Sequence, residues 1–149
     1  MIDPLRLSFE VRCPADRAFR VWTAETTRWW PADHTATGAD GSTIVFEPTV
    51  GGGVYEVTAA GERIDWGEVL AWDPPNHLAY LWHLRADRED ATEVHIDFVP
   101  LDADATRVDI EHRGWERLGE RGRDRRDANQ RGWGGLLPHY VAAAGGGRE

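Results

Sequence analysis

The end of the chain constrains its architecture most. Trp133, Leu136, Leu137, Tyr140, Val141 and Ala144 fall at i, i+3, i+4, i+7, i+8 and i+11, the spacing of one apolar stripe along an α-helix. The stripe ends at Gly145-Gly146-Gly147, and counted backwards it meets the polar Gln130, Asn129 and Arg126, so the helix begins near Asp124. Six short extended runs precede it: STIVFE, GVYEV, IDWGEVLAW, HLAYLWHL, TEVHIDFV and TRVDIEH. A helix with one apolar face must bury that face, and an antiparallel sheet that curls around it is the layer these runs provide.

The beginning of the chain completes the order. LRLSFEV alternates Leu5, Leu7, Phe9 and Val11 against Arg6, Ser8 and Glu10, the period of a half-buried strand. From Pro14 the pattern becomes helical, with Asp16 near the positive end of the dipole and Ala15, Phe19 and Trp22 on one face. A second short helix from Thr23 or Ala24 to Trp30 is expected, because Pro31 disfavours a helical residue before it. The loop Ala32 to Gly41 follows. Turns are expected at Gly51-Gly52-Gly53, Asp73-Pro74-Pro75-Asn76 and Asp102-Ala103-Asp104. The expected fold is α+β: a seven-stranded antiparallel sheet, two short helices after the first strand, and a long C-terminal helix. Pro138 sits among the stripe residues, where it removes a hydrogen bond to the Gly134 carbonyl and is expected to kink the helix.

With 149 residues and no linker, one domain over residues 1–149 is expected. Cys13 is the single cysteine, which excludes an intrachain disulfide and points to a reducing, cytoplasmic setting. No apolar run approaches the ~20 residues of a membrane span. The net charge of -9 argues against nucleic acid. Residues 112 to 131 run the other way, with seven arginines against four acidic residues, and read either as a solvated helix face or as a contact for an anionic partner. In the same span the triplet Arg-Gly-Trp occurs twice, at Arg113-Gly114-Trp115 and Arg131-Gly132-Trp133. The first follows a strand directly and the second lies on the helix, so the duplication reads as fortuitous.

The run Trp29-Trp30-Pro31 through His34, the segments EPTVGGGVYEV and WGEVLAWDPPNHLAYLW, and the ending HRGWERLG…RGWGGLL resemble the START-like superfamily (SRPBCC, helix-grip fold). The resemblance is closest to the branch named after the activator of the heat-shock chaperone ATPase, and it covers nearly the whole chain. It implies a sheet gripping the C-terminal helix, with a cavity between them. Members of the superfamily bind lipids, sterols, polyketides or plant hormones there, and some are aromatases or cyclases. The extra N-terminal domain of the eukaryotic co-chaperones has no counterpart in the sequence, which turns the expectation away from a literal chaperone-activating role. Asn129 departs from the family pattern, which often has an aromatic residue at that position, so a more polar end of the cavity is expected.

Eight tryptophans either fill a core or line a site for an apolar ligand. Trp22 and Trp29 are assigned to the core; Trp30, Trp66, Trp82 and Trp133 are assigned to the cavity, and Phe46, Tyr55, Tyr80, His112, Asn129 and Leu137 complete the expected ligand-binding set. His112 shares strand parity with Val108 and Ile110 and should face inward, either as a satisfied core group or as a ligand contact and proton carrier. Glu47 and Glu56 flank the glycine turn and match the family pattern there. If they point inward, desolvation should raise the pKa of at least one. The histidines lack metal-ligand spacing and no phosphate loop or dinucleotide fingerprint is present, so no metal and no cofactor is expected.

Three functions follow as expectations. The first is a binding protein that encloses a hydrophobic or aromatic small molecule. The second is a cyclase-, aromatase- or hydratase-type enzyme that uses His112 with Glu47 or Glu56. The third is a protein that contacts a chaperone, another subunit or a second copy of itself through Arg113 to Arg131.

Overall fold

The computed structural model describes residues 2–145. Seven strands run β1 Leu5–Val11, β2 Thr43–Phe46, β3 Gly53–Val57, β4 Arg63–Asp73, β5 His77–Trp82, β6 Thr92–Asp102 and β7 Ala105–Arg113. Three α-helices are α1 Ala15–Thr23, α2 Thr26–Trp29 and α3 Gly122–Ala143. The strands form one antiparallel sheet in the order β1-β7-β6-β5-β4-β3-β2. The first strand therefore closes the sheet beside the last, and α3 lies over the inner face. This is the α+β architecture that the pattern of runs implied, and the helix-grip fold that the resemblance implied.

Local chemistry sets most element ends. Pro14 precedes α1 with extended backbone, and the Thr23 and Thr26 hydroxyls donate to the carbonyls of Phe19 and Trp22 at 2.9 and 2.5 Å. Those bonds fasten the junction of the two helices, and α2, expected from Thr23 or Ala24 to Trp30, is only four residues long. Trp30 is extended, as the following proline requires. Gly67 lets β4 run close against β5, because a Cβ there would lie 1.9 Å from the Leu81 carbonyl oxygen.

The apolar stripe of α3 packs as its spacing implied. Trp133, Leu136, Tyr140 and Ala144 are buried, with Leu137 and Val141 partly so. The Tyr140 hydroxyl donates to the Ala18 carbonyl at 2.7 Å and its ring meets Trp22 and Trp29 at 4.7 and 5.1 Å, which fastens α3 to α1 and α2. Trp22 and Trp29 are buried core members, as assigned. Pro138 does not interrupt the helix, which runs on to Ala143; it lies on the exposed side, where water can take the freed Gly134 carbonyl. Gly145 has φ +87 just past the helix, while Gly146 and Gly147 of the expected glycine stop lie outside the described residues.

Candidate functional site

Between α3, the β5–β6 connection and the 3-10 turn Ala32–His34 lies a cleft of about 380 Å³. That volume is within the ~300–1,000 Å³ usual for small-molecule sites. From α3 come Arg125, Ala128, Asn129, Gly132, Trp133 and Leu136, again at helical spacings of three and four. They continue the apolar stripe towards the helix start, so the helix lines the cleft where its inner face turns from apolar to polar.

The second wall arises because β5 loses its partner. Trp82 is its last paired residue, opposite Gly67 on one side and Thr92 on the other. The sequence suggested that the strand continued through Leu84; instead His83, Leu84 and Arg85 leave the sheet and border the cleft. The His83 backbone N–H donates to the Trp66 carbonyl at 2.7 Å, which fixes the exit. His83 is 6 % exposed, and neither ring nitrogen has a hydrogen-bond partner among the described residues. Such an unsatisfied buried group costs ~1–3 kcal/mol.

The third wall is held by side chain-to-backbone bonds. Trp30 donates its indole N–H to the His34 carbonyl at 2.9 Å. Arg85, with φ 62 in the left-handed region, donates through Nε and Nη2 to the Thr35 carbonyl at 3.0 and 2.5 Å and through Nη2 to the Asp33 carbonyl at 2.9 Å. The strain of such a residue is ~1–3 kcal/mol, offset here by three bonds that clamp the turn against the β5–β6 connection. Arg125 is half-buried and makes no ion pair among the described residues.

Of the residues expected to bind a ligand, Trp30, Trp82, Asn129 and Trp133 border the cleft. Trp66, Phe46 and Tyr80 do not. Trp66 is buried behind the wall, 5.1 Å from Trp30 and 5.7 Å from Trp82, while Phe46 packs on Tyr80 at 5.2 Å. Burial pushes the Tyr80 hydroxyl well above its ordinary pKa. Leu137 packs against the core rather than the cleft. Tyr55 is displaced furthest from its assignment: it pairs with Val45, one residue out of phase with the buried Phe46–Val54 pair, so it faces the outer side of the sheet under the Arg63 guanidinium at 3.8 Å.

The expected acid–base residues are placed apart. Glu47 is on the outer side, where it accepts from the Gly53 N–H at 2.7 Å and closes the glycine turn. Glu56 faces inward and is fully buried. The expectation of a raised pKa does not hold for it: desolvation acts upward, but bonds from Ser42, the Ala36 N–H, Thr37 and Trp66 outweigh it and the carboxyl titrates below its ordinary value. The first three donors are at 2.7, 2.9 and 2.9 Å, so Glu56 is the tie that holds the 36–42 loop.

His112 also faces inward, at no exposure. The Trp133 indole N–H donates to its Nδ1 at 3.1 Å, and an indole nitrogen can only donate, so the ring proton sits on Nε2 and is donated to Thr92 Oγ1 at 2.7 Å. Burial pushes its pKa down to about 3, which keeps the ring neutral. His112 is therefore a satisfied core group; it does not border the cleft. Among the described residues no group of three or more His, Cys, Asp or Glu is placed to hold a metal ion.

Sequence reasoning missed His83, Leu84, Arg85 and Arg125. A strand exit was the hidden signal for the first three, and the helical spacing of Arg125 to Asn129 and Trp133 was the readable one for the last.

The fold has solved counterparts. An anthrahydroquino-gamma-pyrone synthase, Txn09, determined with a bound ligand, is 34% identical; 83% of this chain and 84% of that chain are covered, with a TM-score of 0.61. The self-sacrificing resistance protein CalC from Micromonospora echinospora is 26% identical over 99% of this chain and 98% of that chain, with a TM-score of 0.74. An HSP90 activator from Plasmodium falciparum shares 18% identity over 74% of this chain and 72% of that chain at a TM-score of 0.52, a likeness of fold. No functionally curated protein matches the sequence with significance. The family description "Activator of Hsp90 ATPase homolog 1-like protein" matches residues 12–142, and the chain belongs to that family, within the START-like (SRPBCC) group of helix-grip folds.

Proposed function

We propose that the protein binds a planar aromatic small molecule in the cleft between α3 and the β5–β6 connection. The observation that carries this reading is the convergence of Trp30, Trp82 and Trp133 on a cleft that also holds the unpartnered ring of His83. Indole walls favour a flat ring system, since stacked or edge-on aromatic contacts add ~0.5–1.5 kcal/mol beyond their buried area. A ligand polar group completes the hydrogen bonding that His83 lacks. The likeness to a gamma-pyrone synthase at 34% identity supports an aromatic polyketide as the ligand class.

The pairing of His112 with Glu47 or Glu56 as catalyst does not serve such a ligand, because none of the three borders the cleft. The contact surface expected at Arg113 to Arg131 is also weakened. Arg113 and Arg117 pair with Glu93, Arg121 pairs with Asp90, and Arg126 donates to the carbonyls of Asp3 and Pro4.

Titration of the protein with anthraquinones while tryptophan fluorescence is followed, with calorimetry alongside, tests the proposal. Saturable quenching at one site per chain is expected. Quenching that rises linearly with ligand, or no heat of binding for any member of the series, contradicts it.

A further inference from the structure

The polar residues of the cleft narrow the class of ligand, on the footing that the cleft binds an aromatic molecule at all. We infer that it selects an aromatic acid: a planar ring system against the tryptophans, a carboxylate on Arg125, and a ring hydroxyl or ketone on His83. Two independent observations point to this. The first is charge. The chain carries a net -9, yet the cleft is bordered by two arginines, Arg85 and Arg125, against one carboxylate, Asp33. Asp33 is already bonded to the ring of His34 at 2.9 Å, and Arg85 is engaged with backbone carbonyls. That leaves the Arg125 guanidinium, half-buried and without an ion pair among the described residues, as the cationic group open to a ligand. A guanidinium offers a carboxylate two parallel hydrogen bonds in a fixed geometry.

The second observation is the ring of His83. A neutral imidazole has one N–H donor and one acceptor nitrogen. Both are unmet here, in a ring almost wholly out of water. A ligand hydroxyl can accept from one nitrogen or donate to the other, and a ring ketone can accept; an unsubstituted hydrocarbon ring offers neither. His83 comes from the β5–β6 connection and Arg125 from the first turns of α3, so the two contacts fix the ligand's orientation from different walls. Asn129 also borders the cleft; its Nδ2 donates to the Arg125 carbonyl at 2.9 Å, which leaves its second N–H and Oδ1 for a ligand.

Three probes separate the contacts: a dihydroxyanthraquinone carboxylate, its counterpart with a methyl group in place of the carboxylate, and an anthracene carboxylate, which has neither hydroxyl nor ring ketone. The wild-type protein should bind the first most tightly. Arg125→Gln should weaken both carboxylates by about tenfold, the loss of one charge-assisted contact, and leave the methyl compound unchanged. His83→Phe should weaken both hydroxylated probes and change the hydroxyl-free carboxylate by much less, while His83→Gln restores part of the loss. Thermal melts confirm that each variant is folded. Equal affinity of the wild type for all three probes, or Arg125→Gln losses that are the same with and without the carboxylate, overturns the inference while the binding proposal stands. Failure of all three probes to bind the wild type sinks both.

Discussion

The indole N–H of Trp133 donates to Nδ1 of His112, and the ring of Trp115 packs on the same imidazole at 4.3 Å. The two Arg-Gly-Trp triplets thus end on one residue although they lie on different elements, a shared task where the sequence suggested coincidence. From His112 the chain of bonds runs through Thr92 Oγ1 to the Trp82 carbonyl at 3.4 Å, linking α3 to β7, β6 and β5.

That link sets the cost of changing Trp133. Trp133→Phe keeps most of the ring but leaves a buried acceptor unpaired, so a loss of ~1–3 kcal/mol is expected in urea denaturation. Trp133→Ala removes a side chain that is only 5 % exposed and should cost ~3–5 kcal/mol. A Phe variant as stable as the wild type would show that the hydrogen bond to His112 contributes nothing.

His112 also gives the protein an acid-side signature. Its folded pKa is pushed below the unfolded value of ~6.5, so its contribution to stability is fully present above that value. It is lost as pH falls from there towards the folded value of about 3, by up to ~1.4 kcal/mol per pH unit. Denaturation midpoints between pH ~6.5 and ~5 should fall in the wild type and fall less in His112→Gln, whose side chain does not titrate. Parallel slopes for the two proteins would remove His112 as the cause.

Glu56 acts in a lower window. Its depressed pKa means that its stabilising effect is present above ~4.3, the unfolded carboxylate value, and is lost as pH falls through the folded value. Glu56→Gln should cost ~1–3 kcal/mol at neutral pH, because an amide cannot accept from four donors as a carboxylate does. Faster hydrogen exchange of the Ala36 amide, which donates to Glu56 at 2.9 Å, is the local readout. Unchanged exchange there would mean that the loop is held by something else.

How legible was all this in the sequence? The seven strands, the gripping helix and the inward turn of His112 follow from periodicity, because burial of alternate or helical positions is a local property of the chain. The direction of Glu56 was not legible, since one residue of register decides it, and neither was its low pKa, because three of its four donors come from the 36–42 loop and β2 flank, far from it in sequence. The cleft was half legible. Asn129 and Trp133 lie on a readable helix face, and Trp30 and Trp82 follow from the elements that carry them, the second small helix and a sheet strand. His83 was hidden: continued alternation along HLAYLWHL would put it on the opposite side from Tyr80 and Trp82, and only the absence of a β6 partner before Thr92 turns it into the cleft.

Gly132 supplies the most direct test of the central claim, that an aromatic ligand occupies this cleft. It borders the cleft on α3, and a Cβ placed there meets nothing within 4 Å. A larger side chain at this position therefore fills the cleft without disturbing the core, and replacing a helical glycine should raise stability by up to ~1 kcal/mol. The decisive measurement is the affinity of Gly132→Leu for the anthraquinone that binds the wild type best, set beside Gly134→Ala, a change at an exposed helix position away from the cleft. The account predicts that Gly132→Leu is at least as stable as the wild type and has lost saturable binding, while Gly134→Ala binds normally. Full affinity in a folded Gly132→Leu protein would contradict it, because the ligand would then sit somewhere else.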